Sequence, residues 1–142
     1  YIALSFYDQM RTRFKATGDF AQAYAIAHEI DHRVQNLSGV SGKAHSMTLQ
    51  WNTAEGNALS VRLELQADCF AGVWANRARK ILENGDVDET LNAVSAIGDD
   101  TLQRQSRAIV PESFAHDTSA QRKKWFRIYP DHGDPDRCNT FV

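Results

Sequence analysis

The sequence lacks several features that would assign it to particular classes of protein. It has only two cysteines, Cys69 and Cys138, so it allows at most one internal disulfide and no zinc site built from thiolates alone. No apolar stretch reaches the roughly 20 residues that span a bilayer, and the first residues lack the pattern of a signal peptide. The net charge is only −2, and the longest basic run is 122–124. This balance argues against a nucleic-acid or anionic-membrane partner.

The length and composition are those of one soluble globular domain. The 142 residues are 42% hydrophobic and 24% charged, which fits neither a disordered chain nor a coiled coil. We therefore expect a single domain over residues 1–142. Because the chain opens at Tyr1 without a methionine, we leave open whether it is a processed product, an excised piece or a gene fragment.

Helical patterns dominate the chain and strand patterns are almost absent, so we expect a mainly α fold. Asp19 with Gln22 three residues on forms a capping-box pattern, and the apolar residues that follow recur at helical spacing. This pattern predicts a helix over 19–37 that stops at Gly39. Residues 41–50 show no period and are predicted to form a loop.

A second long helix is predicted to begin at a cap formed by Asn52 with Glu55 and to end near Gly85. The remaining helices are predicted to be shorter. Their expected ranges are 4–14, 86–97, a segment ending near 107, and one from a capping box at Thr118 to a stop before Pro130. The acidic tail 131–136 is predicted to be a solvated turn rather than a calcium site.

The first long helix contains the pattern His28-Glu29-Ile30-Asp31-His32. Four residues in a helix turn through about 400°, so His28 and His32 project from one side, at the spacing at which two imidazoles reach one zinc ion. Glu29 lies about 100° from His28, beside the expected metal. There it can take a proton from an attacking water and pass it to a leaving amine. The pattern also arises by chance, so it needs support from elsewhere in the chain.

The second long helix places two carboxylates on one stripe of small apolar residues. With Glu64 at 0° on a helical wheel, Asp68 falls at about 40°. The stripe is otherwise lined by Val61, Ala71 and Ala75. A carboxylate buried without a partner costs several kcal/mol, so either an arginine, Arg62 or Arg77, or a metal ion is expected there.

If the partner is a zinc ion, Glu64 supplies a third protein ligand and leaves a fourth position for water, as catalysis requires. Asp68, one turn further on, then accepts the spare N–H of a zinc-bound imidazole and fixes its tautomer. The wheel alone leaves the arginine and the zinc alternatives open.

Several segments together resemble the bacterial neutral zinc metallopeptidase family. They are FAQAY (20–24) with HEIDHRVQNL (28–37), LSVRLELQADCFAGVWA (59–75), AIGDD (96–100), SFAHDTSAQR (113–122) and GDPDRCNTF (133–141). They occur in the family's order and cover nearly the whole chain. The resemblance implies a zincin-like helical core of the gluzincin type, a Zn²⁺ cofactor, and peptide or protein substrates. In that type the glutamate of a Glu-x-x-Ala-Asp motif is the third zinc ligand, which here is Glu64, with Asp68 supporting the site.

Two departures from the family pattern lie on the first long helix, where Asp31 and Arg33 replace the usual glycine and histidine. Asp31 lies about 100° from His32, so we expect an extra carboxylate near the site that affects the pKa of the attacking water or the approach of substrate. Members of the family also carry an N-terminal part with an apolar anchor and an edge strand. We therefore expect an N-terminally truncated, mainly helical portion of an α+β domain, from a protein of the bacterial cell envelope or a secreted one.

Three further residues are weaker candidates. His116 resembles a histidine that approaches the pocket of related peptidases, and it is predicted either to stabilise the oxyanion of a tetrahedral intermediate or to lie at a helix cap or in a surface loop. Arg122 is predicted to orient His116 or to pair with Asp68. Cys69 lies off the carboxylate stripe, at about 140°, so we predict a packed thiol and leave a pairing with Cys138 open.

These observations lead to two main hypotheses of function. The first is a zinc-dependent endopeptidase in which His28, His32 and Glu64 hold the metal and Glu29 moves the proton. The second is a catalytically impaired metal-binding or protein-interaction domain of the same fold. A ferritin-like di-iron protein does not fit, because it needs a second Glu-x-x-His pair and the sequence has none.

Overall fold

The fold is helical in the part of the chain that the structure, a computed structural model, describes: residues 8, 11–12, 18–48, 53–83, 85–96, 118–127 and 133–141. These residues include no strand. The α-helices are α1 (Asp19–Leu37), α2 (Val40–Thr48), α3 (Thr53–Arg77), α4 (Asp86–Ala96) and α5 (Ser119–Arg127), with 3₁₀ turns at Arg79–Ile81 and Pro135–Cys138. The mainly α fold class is confirmed. None of the described helices is both long and apolar enough to cross a bilayer.

α1 has the predicted bounds, but its first turn differs from the prediction. Asp19 is the first helical residue, and Gly18 takes the cap position in an extended conformation without a side-chain hydrogen bond. The carboxylate end of the exposed Glu89 side chain, on α4, lies where a Cβ on residue 18 would stand. The capping box predicted for Asp19 and Gln22 is therefore wrong.

The loop predicted for residues 41–50 is also wrong, because the chain forms α2 almost directly after α1. Gly39 adopts a left-handed conformation, with φ of 80°, and reverses the chain between the two helices. Ala44 is the buried residue of α2. A helix that buries one small side chain gives no hydrophobic period, which is why the sequence pattern missed it.

α3 ends earlier than predicted, at Arg77, and the chain continues through the 3₁₀ turn Arg79–Ile81. Gly85, with φ of 105°, precedes α4. The cap predicted for α5 is confirmed, since Thr118 Oγ1 accepts a hydrogen bond from the backbone N–H of Gln121 at 3.2 Å. The helices predicted over 4–14 and up to about 107 lie outside the described residues, apart from helical residues at 8, 11 and 12.

α3 lies at the centre of the fold and packs against both α1 and α5. The apolar core joins α1, α3, α4 and α5. Its buried members are Phe20, Tyr24, Ala27, Ala71, Ala75, Leu91, Val94 and Phe126. This packing places one face of α1 against the middle of α3. The candidate site residues His28, His32 and Glu64 lie between these two helices.

A disulfide joins α3 to the C-terminal 3₁₀ turn. Cys69 and Cys138 are bonded, with their Cα atoms 5.6 Å apart, and both side chains are buried. The prediction of a packed thiol at Cys69 is therefore wrong, and the pairing that the sequence left open is the one found. The bond holds the end of the chain against the helix that also carries Glu64 and Asp68.

The left-handed turn between α1 and α2 gives a first testable prediction. Gly39→Ala is expected to lower the free energy of unfolding by about 1 kcal/mol, because a side chain is disfavoured at positive φ. Gly42→Ala, inside α2, is the matched control. No described atom lies within 4 Å of the added Cβ at either position, and alanine is expected to stabilise α2 by about 0.5–1 kcal/mol. Urea unfolding measures the free energy of unfolding of both variants. Equal changes in the two variants would contradict the left-handed conformation of Gly39.

Candidate metal centre

Two histidines and a glutamate from the two long helices meet between α1 and α3. His28 and His32 lie one turn apart on α1, and their Nε2 atoms are 3.1 Å apart. Glu64 faces them from α3, with Oε2 3.2 Å from His28 Nε2 and Oε1 3.3 Å from His32 Nε2. Among the described residues, these three form the one group of potential ligands close enough to share an ion. The structure thus brings together the three residues predicted as metal ligands.

The spacing of these atoms fits a zinc ion. A tetrahedral zinc site with ligand distances of about 2.0–2.1 Å places its ligands about 3.3 Å from one another. The two Nε2 atoms are 3.1 Å apart, and each lies 3.2–3.3 Å from a different oxygen of the Glu64 carboxylate, so each of these contacts is close to that edge. Two imidazoles and one carboxylate are also a ligand set found in zinc hydrolases. The donor set therefore fits zinc in both chemistry and spacing.

One side of the group is accessible to solvent. The side chain of His28 is 9% exposed, whereas those of His32 and Glu64 are 30% and 17% exposed. Structural zinc sites are closed by four protein ligands, and catalytic sites have three and keep a fourth position open. This group has three protein ligands in reach and two partly exposed side chains, so it is not closed in the way that structural zinc sites are.

Asp68 lies behind the ligand group and is fully buried. Arg122 of α5 binds its carboxylate at both oxygens, with Nε 2.8 Å from Oδ2 and Nη2 2.9 Å from Oδ1. Tyr24 of α1 donates its hydroxyl to Oδ1. Of the two roles predicted for Arg122, the structure shows the pairing with Asp68. Arg62 and Arg77, the partners that the helical wheel left open, are exposed.

The second ring nitrogen of His28 faces this buried carboxylate. Nδ1 lies 3.0 Å from Asp68 Oδ1, a close electrostatic contact whose direction does not meet hydrogen-bond geometry. Burial lowers the pKa of His28, but the contacts with Asp68 and Glu64 outweigh it and raise the pKa to about 9. Burial raises the pKa of Glu64, but His28 and His32 hold it below its ordinary range. A metal ion that binds while His28 is protonated therefore has to displace that proton.

Sequence reasoning missed two uncharged residues that support the ligand group. Tyr24 lies one turn before His28, and Gln35 lies three residues after His32, with Oε1 2.9 Å from His32 Nδ1. Both lie within about 40° of His28 on the α1 wheel. This shared position on the ligand face was the signal that could have identified them.

The other predicted residues lie at the edge of the site or outside the described residues. Glu29 is an exposed residue of α1, and its role as a base stays a prediction. Asp31 is half-buried, and its Oδ2 has no hydrogen-bond partner among the described residues. Burial raises the pKa of Asp31 to about 7, against the opposing effect of His28 and His32. His116 lies outside the described residues, so its role stays a prediction.

A group of two histidines and one glutamate, open on one side and carried by two packed helices, is typical of zinc-dependent hydrolases. The chain belongs to the family described as "Putative neutral zinc metallopeptidase", whose profile matches residues 1–141.

Relatives of the chain are found in Escherichia coli and Mycobacterium tuberculosis. It is 55% identical over 144 residues to "Uncharacterized protein YpfJ" of Escherichia coli strain K12, an alignment that covers 99% of this chain and 50% of the relative. It is 40% identical over 156 residues to "Uncharacterized protein Rv2575" of Mycobacterium tuberculosis strain H37Rv, covering 99% and 51%. The chain thus spans about half the length of these relatives. No solved structure matches it.

The buried pair behind the ligands gives a second testable prediction. Arg122→Met is expected to lower the free energy of unfolding by about 3–5 kcal/mol, because it leaves the Asp68 carboxylate buried without its cation. Arg127→Met, at an exposed position on the same helix, is the control and is expected to change stability by less than about 0.5 kcal/mol. Guanidinium unfolding compares the two, and similar stabilities would show that the pair does not hold α5 to α3.

Proposed function

We propose that this chain is the catalytic portion of a zinc-dependent endopeptidase. The observation that carries the proposal is the close approach of the His28 and His32 Nε2 atoms, 3.1 Å apart, to one oxygen each of the Glu64 carboxylate, at 3.2 and 3.3 Å. The partial exposure of His32 and Glu64 supports a site that admits substrate. Membership of a family described by zinc metallopeptidase activity supports the same proposal.

In the proposed reaction, metal binding and proton transfer are carried out by different residues. Zinc, when bound by His28, His32 and Glu64, supplies a Lewis acid that polarises a peptide carbonyl and lowers the pKa of water. Glu29 accepts a proton from the water that attacks the carbonyl carbon and passes it to the amide nitrogen as the C–N bond breaks. His116 is proposed to donate a hydrogen bond to the oxygen that develops negative charge.

The residues behind the ligands are proposed to hold the imidazoles in place. The contact of Asp68 with His28 Nδ1 leaves Nε2 of that ring directed at Glu64. Arg122 neutralises the Asp68 carboxylate, so the support adds no net negative charge to the site. Such supporting groups set ligand orientation and contribute to metal affinity.

Replacement of the third ligand tests the metal site. Glu64→Ala is expected to lower the zinc content of the purified chain from one ion per chain to a small fraction, because two imidazoles alone remain as ligands. Glu55→Ala, at an exposed position on the same helix, should keep the zinc content of the parent. Elemental analysis of both proteins provides the measurement, and full occupancy in Glu64→Ala would remove Glu64 from the ligand set.

Replacement of the proposed base tests the chemistry separately from the metal. Glu29→Gln keeps the size of the side chain and removes its ability to accept a proton, so cleavage should fall by about 10²–10⁴-fold while zinc content stays unchanged. The assay is cleavage of a fluorogenic peptide with and without chelator, with Glu55→Gln as the control. Cleavage that survives in Glu29→Gln would transfer the role of base to another carboxylate, and Asp31 is the nearest.

Asp31 also supports a second candidate function, a metal-binding or protein-interaction domain without catalysis. It places a half-buried carboxyl near enough to His28 and His32 for both imidazoles to lower its pKa, against the larger effect of burial. The two functions differ in peptide turnover by the zinc-loaded chain, since a non-catalytic domain binds zinc and cleaves nothing.

We also propose that the protein works in an oxidising compartment, the bacterial cell envelope or the exterior. The Cys69–Cys138 disulfide supports this location, because thiols are kept reduced in the cytosol. Alkylation of the protein in intact cells tests it. Two labelled free thiols would place the chain in a reducing compartment.

A further inference from the structure

The orientation of the His32 ring is determined by a neighbouring side-chain amide. Gln35 is 1% exposed, and its Nε2 donates to the main-chain carbonyl of Leu63 on α3 at 2.8 Å. A carbonyl can only accept, so the amide nitrogen has to face Leu63 and the amide oxygen has to face His32. That oxygen lies 2.9 Å from His32 Nδ1. His32 Nδ1 therefore carries a hydrogen, so when the imidazole is neutral its lone pair is on Nε2, the atom that faces His28 and Glu64.

A second amide fixes the first one. Gln66 of α3 donates from Nε2 to the main-chain carbonyl of Cys138 at 3.0 Å. Its oxygen consequently faces Gln35 and accepts the second hydrogen of the Gln35 amide at 3.1 Å. Each amide thus has a main-chain carbonyl that determines its direction, and rotation of either amide would bring two acceptor oxygens together. Cys138 itself is held against α3 by its bond to Cys69.

We propose that Gln35 and Gln66 form a relay of side-chain amides that positions His32 for metal binding, and that the Cys69–Cys138 disulfide secures its far end. This inference rests on the zinc site proposed above. Both glutamines are positioning residues, since they act on the metal through His32. The C-terminal turn, remote from the ligands in sequence, becomes part of the metal site through this relay.

The relay differs in charge from the support of the other imidazole. His28 faces the Asp68 carboxylate, whereas His32 faces an amide oxygen, which is neutral. An amide fixes a tautomer by direction and adds no charge to a site that already holds Glu64. Loss of the relay should therefore affect the affinity for the metal and leave the buried pair of Asp68 and Arg122 unchanged.

The test measures zinc affinity by competition with a chromophoric chelator, starting from metal-free protein. Gln35→Met and Gln66→Met keep side-chain length and remove the amides. Gln35→Met should weaken zinc binding by about 10–100-fold, the usual effect of losing the partner of a ligand, and Gln66→Met and the double variant C69A/C138A by smaller factors. Thr140→Val is the matched control. It removes a 2.6 Å hydrogen bond from the same tail to the Arg62 carbonyl, outside the relay, and should leave zinc affinity unchanged.

A second measurement needs no substitution. Nitrogen-15 NMR of the metal-free parent, at a pH where the imidazole is neutral, is expected to show the hydrogen of His32 on Nδ1. A hydrogen on Nε2 would overturn the relay, as would Gln35→Met and Gln66→Met proteins that bind zinc as tightly as the parent. Unchanged affinity in C69A/C138A would overturn the part assigned to the disulfide. A parent that binds no zinc would instead refute the proposed function, and the NMR result would still decide whether the relay fixes His32.

Discussion

The arrangement of the helices depends on the burial of one charge, the carboxylate of Asp68. A buried carboxylate is stable only when cations or hydrogen-bond donors surround it, and its donors come from different parts of the chain. The two donors are Tyr24 on α1 and Arg122 on α5, whereas the carboxylate that they bind is on α3. These helices cannot shift independently without exposing or unpairing that charge. His28 contacts the same carboxylate, so the geometry of the ligand group follows from the requirement to compensate it.

The balance of charge around the site follows from the same arrangement. Arg122 cancels the charge of Asp68, so that, with both imidazoles neutral as they are when they bind a metal, Glu64 is the one anion left among the proposed ligands and their direct supports. A divalent ion bound there would retain a net positive charge, which is needed to polarise a carbonyl group. A second carboxylate in place of Gln35 would reduce that charge, and this gives a physical reason for an amide beside His32.

The sequence was informative where function requires charged residues at helical spacing. The pairs His28 with His32 and Glu64 with Asp68 could each be placed on one face of a helix, because four residues make little more than one turn. Their meeting across two helices rested on family resemblance and on the cost of a buried carboxylate. Helix α2 was missed because Ala44 gives it no hydrophobic period. Gln66 was missed because its role depends on which groups its amide nitrogen and oxygen face in the folded chain. The spacing of residues along the sequence does not show this.

The order of the residues along the chain has a consequence for biosynthesis. The proposed ligands lie on α1 and α3, whereas Arg122 follows Asp68 by 54 residues and Cys138 follows Cys69 by 69. At about 5–20 residues per second, a ribosome takes roughly 3–14 s to extend the chain from the first cysteine to the second. Until Arg122 is added, 54 residues after Asp68, the nascent chain contains every proposed ligand but neither the cation for Asp68 nor the carbonyl for Gln66. The complete arrangement of the site can therefore form only after Cys138 has been synthesised, seconds after the last of the proposed ligands.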